Sequence, residues 1–257
     1  MKLLACDIFH REMEEAVARS RNEIDLEFLA QGLHNEGSAK MCKALQEAVD
    51  RSSTAGGFDA VLLGYALCGN GLVGLQARSI PLIVPRAHDC ITFFFGSRAR
   101  YTEYFYGHPG TYFKTSGWME RVNTDGCSCS GDCCGGQLTF GTEPGMTVNY
   151  DELVAKFGEE DAKYVMEELS GHTRNYSRIA YIEMGVEPPG LEEKARAEAE
   201  TSGWEFEKIA GDMSLIRRLV DGPWSEEDFL KVPPGWRIAQ KYDDSVVTAV
   251  APDGTLN

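Results

Sequence analysis

Hydrophobic and polar positions along the chain switch repeatedly between two periods. KLLACDIF, beginning at residue 2, is a short apolar run that reads as a strand. REMEEAVARSR follows with apolar residues at helical spacing, its acids early and its arginines late, as the helix macrodipole prefers. DLEFLAQGL predicts a second strand, and SAKMCKALQEAVDRSS a second helix opened by a serine cap. A Gly-Gly break then leads into GGFDAVLLGYALCGNG, an almost unbroken apolar run of the kind found in strands covered on both faces. GLVGLQA predicts a short helical turn and IPLIVPRAHDC another buried strand. The order β-α-β-α-β-α-β specifies a parallel sheet with helices on both faces.

From CITFFFGSRARYTEYFYGHPGTYFKTSGWMERV to about residue 150 the pattern becomes aromatic-rich and glycine-punctuated. Tyr101, Tyr104, Tyr106, Tyr112 and Trp118 are placed to line a pocket or lid; equally, Phe93, Phe94, Phe95 and Tyr104 suit the core of a helix packed on the sheet. DELVAKFGEEDAKYVMEELSGHT restores a helical period, RIAYIEMG adds a strand, and LEEKARAEAETSG is a charged helix ended by glycine. WEFEKIAG, DMSLIRRLVDG and FLKVPPGWRIAQKYD complete a second strand and helix series. Neither a long linker nor a fixed-period repeat interrupts this order. The fold class is therefore α/β: an open, mostly parallel sheet with helices on both faces and a Cys/aromatic-rich insertion. Residues 1–257 form a single body, with possible lobes over 1–120 and 150–240 and a Cys-rich loop over 121–149.

With 257 residues and 43% hydrophobic content the chain buries a sizeable core without staples. Its formal net charge of −15 repels phosphate backbones and anionic lipid, so no nucleic acid or membrane partner is expected. MKLLACDIFHREMEE has five apolar residues before its first acid, too few for a secretory segment, and nothing downstream approaches the run of about eighteen that spans a bilayer. A cytoplasmic location is expected.

Cysteines stand at 6, 42, 68, 90, 127, 129, 133 and 134. A reducing cytoplasm disfavours a disulfide framework, so thiols concentrated in this way point to metal. Cys42, inside a helix, reads as a small packing residue. Cys6, Cys68 and Cys90 each follow a predicted strand, and open parallel sheets bind ligands in the crevice outside their strand ends, where strand order reverses. The two readings here are one metal held by three remote thiols and three buried packing thiols. Gly69, Asn70 and Gly71 in CGNG permit tight turns whose N–H groups donate to sulfur. His88 and Cys90 fall on one side of an extended segment, and both residue types ligate zinc. Arg86 and Asp89 supply charge for orienting ligands or for an anionic substrate, and His10, at the end of the first strand, is placed to face the same crevice. His34 and His172 have no nearby motif.

GCSCSGDCCGG is a second constellation. Cys127, Cys129, Cys133 and Cys134 lie among Gly, Ser and Asp, a composition that packing does not explain. Four thiols so close together suit an ion or cluster, a dithiol switch, a free exposed loop, or a cap that adds a fourth ligand to the first site.

ACDIFHREME, LGYALCGNGLVGL, PRAHDCITFFFGSRARY, PGTYFKTSGWME, YSRIAYIEMG and GWEFEKIAGDMSLIRRLVDGPWSEEDFLKVPPG together resemble the bacterial and archaeal family catalogued as domain of unknown function 1638. The likeness spans nearly the whole chain. It is densest at Cys6, at Cys68 to Gly71 and at Pro85 to Cys90, and it implies a setting in anaerobic one-carbon metabolism beside corrinoid-dependent methyltransfer systems. GCSCSGDCCGG is less typical of that family.

Three functions compete. The first is an iron–sulfur enzyme in which strand-end thiolates hold a [4Fe–4S] cluster with one open iron, acting on a small molecule by lyase, dehydratase or desulfidase chemistry. The second is a zinc-dependent thiol methyltransferase or partner of a corrinoid protein, with His88, Cys90 and a further cysteine on Zn2+. The third is a non-catalytic metal or corrinoid chaperone or redox sensor. The abundance of thiols over histidines favours the first.

Overall fold

A computed structural model describes residues 1–30, 33, 37–121, 154, 158–159, 161–162 and 175–255. Cys127, Cys129, Cys133 and Cys134, like His34 and His172, lie outside the described residues, as does nearly all of the helical period read after residue 150. Among the described residues no helix is long and apolar enough to cross a membrane.

Strands β1 (Lys2–Cys6), β2 (Asp25–Leu29), β3 (Val61–Gly64), β4 (Leu82–Pro85) and β8 (Phe229–Val232) form one sheet in the order β2-β1-β3-β4-β8. The first four run parallel, and β8 joins β4 antiparallel. The expected open, mostly parallel α/β sheet is thus present. From β1 the chain moves to one side for β2 and returns to the other for β3, so strand order reverses between β1 and β3.

Period-two alternation buries both faces. Leu3, Ala5, Leu62 and Ile83 pack with Met13 and Ala16 of α1 (His10–Arg19) and with Leu215, Ile216, Leu219 and Val220 of α7 (Ser214–Asp221). At about 1.5–3 kcal/mol per large side chain buried, those four α7 residues alone outweigh any surface ion pair. On the other face Leu4, Val61, Leu63, Leu82 and Val84 meet Met41, Leu45, Ala48 and Val49 of α2 (Ser38–Ala55). Ile238, Val247 and Ala249, from the hairpin of β9 (Arg237–Gln240) and β10 (Val247–Val250), complete that face. The stretch GLVGLQA forms turns rather than a helix, with positive φ at Gly69, Asn70 and Gly74 breaking the helical path.

A second parallel sheet, β5 (Thr111–Lys114), β6 (Arg178–Glu183) and β7 (Glu205–Ala210), turns Tyr112, Ile179 and Tyr181 toward Leu191, Ala195 and Ala199 of α6 (Leu191–Ser202). Its opposite face sends Ala180 and Ile182 into the core of the main sheet. The core reading of the aromatic stretch holds for Phe93, Phe94 and Phe95, while of the aromatics placed for a pocket or lid only Trp118 lines a cavity. Phe93 and Phe94, in α3 (Ile91–Phe94), are fully buried with Phe95 behind them, their rings 4.8 and 5.0 Å from Phe9. Tyr106 on α4 (Arg98–Gly107) is 79% exposed.

Helix α5 (Ser116–Arg121) docks against the 3-10 turn Asp7–Phe9 that follows β1. Gly117 makes this possible: a Cβ there would stand 1.7 Å from the Ile8 carbonyl oxygen. Arg11 clasps Glu120 through two hydrogen bonds of 2.7 and 2.8 Å. Beneath them the Ser116 hydroxyl donates to one oxygen of the fully buried Glu12, whose other oxygen has no hydrogen-bond partner among the described residues. Burial pushes the Glu12 carboxyl up to about 7, against the pull of its own backbone N–H and of Ser116.

Two outcomes follow from this docking. Gly117→Ala forces α5 off the turn and lowers stability by about 1–3 kcal/mol in urea denaturation, whereas an alanine at the equally helical but outward-facing Ser202 leaves it within error. Because the folded-state pKa of Glu12 is raised, its contribution is intact below about pH 4.5 and is lost as pH rises through about 7. Glu12→Gln therefore flattens the decline in stability between those limits; equal slopes in variant and wild type would refute the assignment.

Candidate functional site

The strand register places the ends of β1 and β3 level, Ala5 opposite Gly64. A Cβ at Gly64 would lie 2.7 Å from that of Ala5, so the strands meet here without room for a larger residue. Cys6 ends β1 and leads into the 3-10 turn. Past the end of β3 the ladder continues: Leu67 N–H donates to the Ala87 carbonyl at 2.9 Å and Cys68 N–H to that of His88 at 3.0 Å. These two bonds stitch the loop after β3 to the loop after β4. Cys90 then stands at the entrance of α3.

The result is a small cavity lined by Cys6, Cys68 and Cys90. Ile8, Phe9, Ala66 and Trp118 form its walls, with Leu33 and Met41 across from them. Tyr65 supplies a phenol. The three cysteines the sequence singles out at strand ends are therefore brought together, at the reversal of strand order where such sheets bind ligands. Among the described residues no group of three His, Cys, Asp or Glu side chains is placed to hold a metal ion.

The backbone at Cys68 is strained. Cys68, Gly69 and Asn70 have φ of 44, 63 and 72°, three successive residues in the left-handed region that non-glycine residues avoid. Gly71 closes the turn by donating to the Leu67 carbonyl, and a Cβ there would sit 2.2 Å from the Met41 sulfur. The glycine is what lets Met41 seat against the turn. Gly69 and Asn70 are themselves exposed.

Burial governs the sulfur chemistry. It pushes the Cys6 thiol up to about 11, opposed by the Ile8 N–H and the Tyr65 hydroxyl. Cys68 rises to about 12, again chiefly by burial, then by the charges of Cys6 and Asp89, while the Ala66 and Cys90 N–H groups favour its thiolate. Cys90 is raised by burial and then by Cys68 and Asp89. All three are thiols at neutral pH, and joint ionisation needs a cation between them. The N–H groups of Ile8, Ala66 and Cys90 are the donors that thiolate ligands use as outer partners.

The other candidates stand elsewhere. His88 is exposed and does not line the cavity; its carbonyl, not its ring, serves the site. The Arg86 guanidinium donates to the carbonyls of Glu226, Ser245 and Val247, tying β4 to the chain around β8 and β10. Asp89 accepts from the Tyr101 hydroxyl at 2.7 Å and from the Ile91 N–H at 3.0 Å, capping α3 behind Cys90. His10 lies with its Nε2 3.5 Å from Glu120, on the α5 side. Cys42 points its thiol at the Val73 carbonyl, in keeping with a packing role. Sequence reasoning missed Tyr65 and Phe9 as cavity residues.

A family model described as Protein of unknown function (DUF1638) matches residues 28–220, which include Tyr65, Cys68, Cys90 and Trp118. Comparison with curated proteins and with solved structures gives no match. With well over half of its 257 residues matched, including two of the three cavity cysteines, the chain belongs to the DUF1638 family.

Proposed function

We propose that the chain is a cytoplasmic iron–sulfur enzyme whose Cys6, Cys68 and Cys90 hold a [4Fe–4S] cluster in the cavity, leaving one iron open to a small-molecule substrate. One observation carries this reading: three thiols from three separate strand ends line a single enclosure. The donor set fits the group. Thiolate sulfur is the usual ligand of iron–sulfur clusters, and three ligands leave one corner free. The three thiols line one cavity. His88, needed for a His-Cys zinc site, faces solvent.

When bound, such a cluster supplies a Lewis-acidic iron, suited to lyase, dehydratase or desulfidase chemistry on an oxygen- or sulfur-bearing substrate. The chain's own part is to hold and shelter it. N–H groups of Ile8, Ala66 and Cys90 offset thiolate charge, and Phe9, Met41 and Trp118 keep bulk water from the reacting face.

Anaerobic reconstitution with iron and sulfide is the direct test. The expected product is brown, with about four irons per chain. Serine at Cys6, Cys68 or Cys90 removes most of that iron, while Cys42→Ser retains it. A colourless protein carrying one zinc, or iron retained in all three variants, would overturn the proposal.

A further inference from the structure

Tyr65 is 3% exposed, and among the described residues its hydroxyl makes no hydrogen bond of ordinary geometry, having only the Cys6 thiol beside it. A buried phenol left with a thiol alone is uncommon, since sulfur is a weak acceptor and the desolvated O–H forfeits the stronger bond it had with water. Its position accounts for the exception. The ring belongs to the cavity wall, and the hydroxyl lies among the sulfurs, beside Cys6 and within the field of Cys68. Around it the wall is hydrocarbon, thiol and thioether: Phe9, Leu33 and Trp118 with Met41 and the cysteines.

We infer that the Tyr65 hydroxyl is the hydrogen-bond donor that orients a ligand in the thiol cavity, and that the ligand is a small uncharged molecule presenting one acceptor oxygen or sulfur. This rests on the cavity being the reaction site. A neutral acceptor answers this O–H, and the remainder of such a molecule finds apolar contact on Phe9, Leu33 and Trp118. In the chain without iron, a carboxylate or phosphate would be desolvated among apolar walls that offer no cationic side chain, and would be repelled beforehand by a protein of net charge −15. Tyr65 is a positioning group in this scheme, and a bond formed in the ligand complex but absent from the free protein explains why it is kept at a desolvation cost.

The test uses the full chain without iron and three probes of similar shape: cyclopentanone, methylenecyclopentane and cyclopentanecarboxylate. Binding is followed by NMR contacts to the rings of Tyr65 and Trp118. Cyclopentanone is expected to bind best, the hydrocarbon more weakly and the carboxylate least. Tyr65→Phe should weaken cyclopentanone by about tenfold and leave methylenecyclopentane unchanged, which also shows the cavity intact. In the wild type, the carbonyl stretch of bound cyclopentanone should fall below its value in hydrocarbon solvent, a measurement independent of any variant. Preference for the carboxylate, an unshifted carbonyl stretch, or equal cyclopentanone affinity in wild type and variant would each overturn the inference. Since the probes need no cluster, a failure to load iron leaves this result standing. A normal iron load with no effect of Tyr65→Phe sinks the inference and spares the cluster.

Discussion

Parallel pairing of β1 with β3, extended beyond the strands by the bonds from Leu67 and Cys68 to the loop after β4, is the constraint on which the site depends. Three cysteines separated by 62 and 22 positions have no local reason to meet. They do so because parallel strands deliver their carboxyl ends to one edge, and because the register leaves Ala5 and Gly64 abreast. Gly64 matters for its missing side chain, since a Cβ would wedge β3 from β1. Reversal of strand order at that pair carries the following loops apart and leaves a gap at the strand ends.

What fills the gap decides its chemistry. Apolar walls make thiolates expensive, and each sulfur's charge would burden the other two. The same walls strengthen any attraction between those sulfurs and a cation, because little solvent screens it. Thiols buried and raised in this way are the reverse of a redox-sensing cysteine, which needs a lowered pKa and exposure. The left-handed run at Cys68 to Asn70 stands at the same site. Strain of order 1–3 kcal/mol per residue persists only where the surroundings enforce it, and here it belongs to a turn whose Cys68 lines the cavity.

Much of this was legible in the sequence, and the exceptions have physical causes. Apolar runs with glycine breaks identified the four parallel strands, and the position of Cys6, Cys68 and Cys90 just past strands was enough to group them. Tyr65 was hidden because a tyrosine inside AVLLGYAL looks like any core residue; only the fold reveals that its hydroxyl is left beside the Cys6 thiol. His88 and Arg86 were grouped with Cys90 on the premise of an extended segment. The strand ends at Pro85 and the chain bends toward α3, so neighbours in sequence leave in different directions. Arg86 also has three carbonyls to satisfy, which no pattern of spacing announces.

Trp118 links the cavity to the rest of the molecule. It lies on α5, and α5 is held by contact between Gly117 and the Ile8 carbonyl, by the Arg11 fork on Glu120, and by Ser116 on Glu12. Ile8 itself lines the cavity, and its N–H serves Cys6. One three-residue turn thus faces the sulfur site with its side chain and N–H while its carbonyl supports the helix that walls the site. The half-buried fork adds to this rigidity through two charge-assisted hydrogen bonds. Close backbone packing contributes most. A cavity whose wall and ligand share one backbone segment cannot shift the first without disturbing the second, so the spacing between Trp118 and Cys6 is set by the fold before any ligand arrives.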